Sequence, residues 1–113
     1  MTDDQWHTII GNAESGVNAT DIRGAIVMLM KLTNRSAAQA GTEVRNIIGI
    51  LNARGSISAK SIVPPLREIR SSVEQCETTG AKFEYLRQTF GTENAQAALF
   101  LAANVERLHQ FAT

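Results

Sequence analysis

Residues 87–105 read RQTFGTENAQAALFLAANV. A phenylalanine and a glycine separate two runs of helix-forming residues, and the second run is almost wholly apolar. Glycine has no Cβ and enters positive φ without penalty, so Gly91 is the expected left-handed terminator of the first helix. Thr92 is expected to cap the next helix, with Glu93 favourable against the dipole in its first turn. Phe90 anchors the corner. Beyond it, Ala98, Leu101, Val105 and Leu108 recur at steps of three, four and three, flanked by Leu99 and Phe100. That spacing predicts one face of a single last helix.

The same reading extends towards residue 1. Gly80 is expected to separate off a helix carrying Phe83, Leu86 and Phe90. Pro64 and Pro65 suit a first helical turn, and Val63 before them is expected to be extended. The helix they open is predicted to run to about Thr78, with Leu66, Ile69, Val73 and Cys76 as a narrow seam. SISAKSIV (56–63) reads as either a helical turn or an extended link. Ser36 and Gln39 form a capping box ahead of a helix ending at Gly55. Ala40, Val44, Ile47, Ile48 and Leu51 line one face of it, and Gly41 and Gly49 let a neighbour approach closely. Asn18 or Thr20 caps an earlier helix whose core stripe is Ile22, Ala25, Ile26, Leu29 and Leu32. Val27, Met28 and Met30 make that helix apolar nearly all round, as expected of a central element. Thr2 and Gln5 repeat the capping-box pattern for a first helix with Trp6, Ile9, Ile10 and Ala13 on one face and Gly16 as its stop. No strand period is found. The fold class is therefore all-α, five to six short-to-medium helices in a compact or partly open bundle.

Composition narrows the function. Apolar residues make up 43% of 113 residues, which suits one globular domain. Eleven Lys and Arg balance eleven Asp and Glu. Residues 1–56 carry Asp3, Asp4, Glu14, Asp21 and Glu43 against Arg23, Lys31, Arg35, Arg45 and Arg54, so the balance also holds locally. A phosphate-binding patch is not expected, and neither is a polybasic membrane anchor. TGAKFEYLRQTFGTENAQAALFL (79–101) mimics a helix-turn-helix, but its second helix offers Ala, Leu and Phe where a base reader needs Arg, Asn or Gln. AIVMLM is the longest apolar run and is far short of the ~20 residues that span a bilayer.

The residue types of catalysis are sparse. Cys76 is the single cysteine and reads as a buried small hydrophobe. His7 and His109 lie at opposite ends, and His109 is expected to meet a helix dipole or solvent. No HExxH, CxxC, GxSxG or Walker pattern occurs. No catalytic residue, cofactor or metal ligand is assigned, and the protein is not expected to be an enzyme.

Two stretches carry a resemblance. SAAQAGTEVRNIIGILNARG (36–55) resembles the segment of phage tail tape-measure proteins in which small residues and Ala-Gly-Thr lead into Arg-Asn and an aliphatic helix. LRQTFGTENAQAALFL (86–101) resembles the Phe-Gly-Thr-Glu motif of the same family and the Ala- and Leu-rich helix after it. GAIVMLMKLTNR (24–35) is similar to the apolar helix that family members place upstream, so the likeness covers about residues 18–105. The passage between the two motifs is shorter here, reduced to SISAKSIVPPL. The residues that carry the likeness are Gly41, Thr42, Arg45, Asn46, Phe90, Gly91, Thr92 and Glu93, each with a structural account as a cap, corner or helix-face contact. The resemblance implies a structural segment that helps set tail length, inside the tail tube of the virion and in host cytoplasm during assembly. The implied partners are tail-tube and tail-assembly proteins, with self-association left open and no nucleic acid. It also implies that residues 1–113 are one helical domain excised from a much longer chain. The alternative is a generic helical protein-interaction or regulatory module.

Overall fold

The computed structural model describes residues 17–55 and 61–111. Six α-helices and one 3₁₀ turn occur among them, with no β-strand: α1 Ala19–Thr33, α2 Ala37–Ala53, α3 Val63–Glu74, α4 Thr79–Phe90, α5 Thr92–Ala103, the turn Val105–Arg107 and α6 Leu108–Phe111. The all-α bundle read from the sequence is the architecture found. The helix expected over Thr2–Gly16, and the core of the ambiguous link at 56–60, lie outside the described residues.

Local chemistry sets the starts. The Asn18 side chain accepts from Thr20 N–H at 2.8 Å and opens α1. Ser36 and Gln39 close the expected capping box at the head of α2. Thr78 accepts from Ala81 N–H at 3.0 Å and starts α4. That cap corrects two expectations: α3 stops at Glu74, four residues before Thr78, and Gly80 lies inside α4 instead of ahead of it. Val63, expected to be extended, is the first residue of α3, and both prolines sit in the first turn, where no donor is missed.

Ends follow the same logic. Asn34 closes α1 at φ 57°, a left-handed site that asparagine tolerates. Gly55 ends α2 at φ 69°, as read from the sequence. Gly91 has positive φ, but its ψ of 158° puts it in a region open only to glycine and outside the left-handed helical well. Thr92 is already helical, and its side chain forms no cap. The single last helix is also revised. It breaks at Asn104 (φ −116°, ψ 19°), and a 3₁₀ turn leads into α6.

Helices α1 and α5 form the centre. α1 packs on α2, α5 and α6, while α5 packs on α1, α2, α3 and α4. The predicted stripes of both capped helices are buried: Ile22, Ala25, Ile26 and Leu29 from α1, and Ala40, Val44, Ile47, Ile48 and Leu51 from α2. Each fully buried Leu or Ile contributes about 1.5–3 kcal/mol. Leu32 and Phe83, expected in the core, are 37% and 44% exposed. Cys76 lies past the end of α3 and is half-buried, its Sγ against the Ser72 carbonyl. Among the described residues no helix is long and apolar enough to cross a membrane.

Candidate functional site

Two polar clusters interrupt this apolar interior, and each joins elements distant in sequence. The first lies between α2 and α5, where the two motif stretches meet. Asn94 is buried one turn beyond the Gly91 corner. Its Nδ2 donates to the Phe90 carbonyl at 3.1 Å, satisfying a C-terminal acceptor of α4. Its Oδ1 accepts from Asn46 Nδ2 on α2 at 3.4 Å. Above this pair, Arg35 ion-pairs with Glu43 and donates from Nη2 to Gln96 Oε1 at 2.9 Å.

The other motif residues take structural positions around this seam. Gly41 is buried on α2, and Phe90 is 2% exposed at the corner. Thr42 turns its hydroxyl back to the Ala38 carbonyl at 3.0 Å, and Arg45 reaches Thr42 at 3.4 Å. Thr92 and Glu93 are exposed in the first turn of α5. An open depression of about 610 Å³ is bounded by Arg35, Ala38, Gln39, Thr42 and Glu43. A second, of about 310 Å³, lies between α4 and α5 beside Phe83 and Arg87.

The second cluster centres on Asp21, 1% exposed in the first turn of α1. Its Oδ2 accepts from Ser61 Oγ at 2.8 Å and from the Ile62 backbone N–H at 3.1 Å. Its Oδ1 meets His109 Nε2 at 2.5 Å. The expectation that His109 faces only a dipole or solvent is therefore corrected, although 62% of its side chain stays exposed. Serine, aspartate and histidine are all present, but in an order that does not activate a nucleophile. In a hydrolytic triad the imidazole stands between hydroxyl and carboxylate. Here the carboxylate stands in the middle and takes a hydrogen bond from each side, so the cluster fastens three chain segments together.

Surface charges form smaller pairs. Arg67 grips Glu106 in bidentate fashion at 2.7 and 2.9 Å, and Arg70 adds a contact at 3.5 Å. The Arg67 hydrogen bond holds the Glu106 carboxyl below its ordinary range. Hydrogen bonds from Arg87, then Gln88, do the same for Glu84. Among the described residues no group of three or more His, Cys, Asp or Glu side chains is gathered as metal ligands would be.

Asp21, Asn94 and Gly24 are among the participants that the sequence alone does not single out. A Cβ at Gly24 would overlap the carbonyl oxygen of Leu108, so that glycine seats α6 on α1. Asp21 gives a local signal as an acid in a first helical turn. Its partners lie 40 and 88 residues away, and no local pattern announces them. The chain matches no family model, no curated protein and no solved structure.

Proposed function

We propose that this chain is a structural and assembly segment of a phage or prophage tail tape-measure protein. It works in the tail-tube interior and, during assembly, in host cytoplasm, with tail-tube and tail-assembly proteins as partners. The observation that most supports this reading is the seam between α2 and α5. The two motif stretches, 36–55 and 86–101, meet through Asn46–Asn94, 48 positions apart, and Arg35, just ahead of the first stretch, reaches Gln96 in the second. A shared structural unit is a reason for both motifs to occur together in one chain.

A ruler is read by length. Residues 18–105 opened into successive helices end to end, interrupted at the glycines and at Pro64–Pro65, would extend up to about 130 Å at 1.5 Å per residue. Kept folded, the described residues measure 43 Å along their longest axis. The test is an in-frame duplication of 18–105 within the gene that encodes it, with tail lengths measured by negative-stain electron microscopy. Tails longer by about 130 Å mean a ruler segment that opens, and tails longer by the folded module's length mean one that stays packed. Tails of unchanged length overturn the reading.

A further inference from the structure

We propose that residues 105–111 exchange between two copies of this chain, by straightening of the break at Asn104, to form a dimer. The inference is independent of the tape-measure reading. It starts from a disagreement between sequence pattern and structure. Ala98, Leu101, Val105 and Leu108 continue a helical stripe through residue 104, and no glycine or proline occurs from Thr92 to Phe111. By local preference the stretch is one helix. The structure instead breaks it at Asn104 and folds the remainder back on α1 and α3.

Two short-range side-chain bonds hold the break. Asn104 Nδ2 donates to the Phe100 carbonyl at 2.9 Å, and Arg107 Nη1 reaches Asn104 Oδ1 at 3.5 Å. The folded-back segment is held by a well-defined seat. Val105 and Leu108 are 2% and 1% exposed, the Leu108 carbonyl rests over Gly24, His109 meets Asp21, and Glu106 meets Arg67 and Arg70. A straightened helix lifts all of these groups out together and leaves Gly24 and the buried Asp21 uncovered. A monomer in that state loses the whole seat. A second copy in the same state offers an identical seat and an identical segment, so reciprocal exchange restores every contact. The two forms then differ only at the hinge and in the entropy of association.

The dimerisation constant is accordingly set by the helix preference of residue 104. Asn104→Ala and Asn104→Gly both remove the side-chain bonds that hold the break, and differ in how well they continue a helix. The Ala–Gly difference corresponds to about fivefold per hinge, hence roughly 25-fold for the two hinges of a dimer. Sedimentation velocity and light scattering from micromolar to millimolar protein read the constant, and circular dichroism checks that all three proteins are equally helical. The expected order is Ala above Gly by about 25-fold. A chain labelled at Ser71→Cys and Gln110→Cys on a Cys76→Ala background, diluted into unlabelled protein, is expected to show a second, longer intrachain distance by pulsed electron resonance as dimer forms. Equal constants for Ala and Gly, monomer throughout, or an unchanged intrachain distance in the dimer would each overturn the proposal.

Discussion

Replacing Asp21 tests what holds the bundle's polar interior in place. The carboxylate is 1% exposed and accepts from Ser61 Oγ, the Ile62 N–H and His109. Asp21→Ala leaves the buried Ile62 N–H without an acceptor, which costs about 1–3 kcal/mol, and removes charge-assisted bonds worth about 1.5–3 kcal/mol each before compensation by water. Loss of an acid from the first turn of α1 adds about 0.3–1 kcal/mol. Taken together, with part of the Ser61 loss recovered by rotation of its hydroxyl, the expected cost is about 3–4 kcal/mol. That is a large share of the ~5–15 kcal/mol available to a domain. His109→Ala should behave differently. The imidazole is mostly in water, so its pairing is screened, and about 1 kcal/mol or less is expected. Asp21→Asn keeps one oxygen acceptor and should fall between the two.

Urea unfolding followed at 222 nm gives each free energy by linear extrapolation. For a chain of this size, 3 kcal/mol at the midpoint corresponds to about 10–15 °C in Tm. The decisive result is the asymmetry. Equal losses from Asp21→Ala and His109→Ala would place the value in the His–Asp pair and refute the assignment of Asp21 as the acceptor for the turn before α3. A loss below about 1 kcal/mol for Asp21→Ala would refute the cluster's structural role altogether.

Other substitutions separate space from backbone conformation. Gly24→Ala should destabilise by roughly 1–3 kcal/mol in urea melts, because its methyl meets the Leu108 carbonyl rather than a yielding side chain. Gly80→Ala, where the nearest atom is the Thr78 hydroxyl oxygen at 4.0 Å, should stabilise by about 0.4–1 kcal/mol in the same assay. Gly91→Ala finds no atom within 4 Å and should still lose about 1–3 kcal/mol, since φ 83° with ψ 158° strains any residue with a Cβ. For Glu106, the folded carboxyl is held below the 4.5 of an unperturbed glutamate, chiefly by the Arg67 hydrogen bond. Its contribution is thus present above that value and lost as pH falls through the depressed one. Glu106→Gln should therefore flatten the fall of Tm as pH drops below about 4.5 and lower stability slightly at neutral pH.

Legibility in the sequence followed the range of the interaction. The α2 capping box and the stripe from Ala40 to Leu51 are local, and both were read residue by residue. Asn18 was one of two candidates for the α1 cap, and its reach to Thr20 N–H decides between them. Errors arose where two local signals competed. Gly80 looked like a separator, but Thr78 offers an oxygen to an N-terminal N–H and fixes the helix start two residues earlier. Thr92 looked like a cap, but the positive φ of Gly91 already turns the chain, and Asn94 satisfies the Phe90 carbonyl from inside the next helix. Leu32 and Phe83 lie at the edges of their stripes, where exposure depends on whether a neighbouring helix reaches that far. Packing decides that, and periodicity carries no information on it. In the candidate site, Asn46 and Asn94 stand in two separate motif stretches 48 residues apart, and nothing in either stretch announces that the two side chains pair.

Asp21 and Asn94, the buried polar side chains among the described residues, explain how an interior made largely of Ala, Leu and Ile adopts one arrangement. An apolar stripe fixes which face turns inward but leaves the angle between successive helices weakly determined, because Ala and Leu accept several neighbours of similar volume. Asp21 and Asn94 lack that freedom, since each must meet named donors or acceptors or lose the bonds that offset its desolvation. Asn94 ties the α4–α5 corner to α2, and Asp21 ties the head of α1 to the turn before α3 and to α6. Five of the six helices are thereby named by two side chains, and α3 is reached through Ile62, the residue that leads into it. Removing Asn94's amide should therefore loosen the corner without unfolding the stripes. Asn94→Ala should accelerate amide exchange at Asn46 and around Phe90 and Gly91 more than in the middle of α1. Uniform acceleration across all helices would show that the corner is held by apolar packing alone.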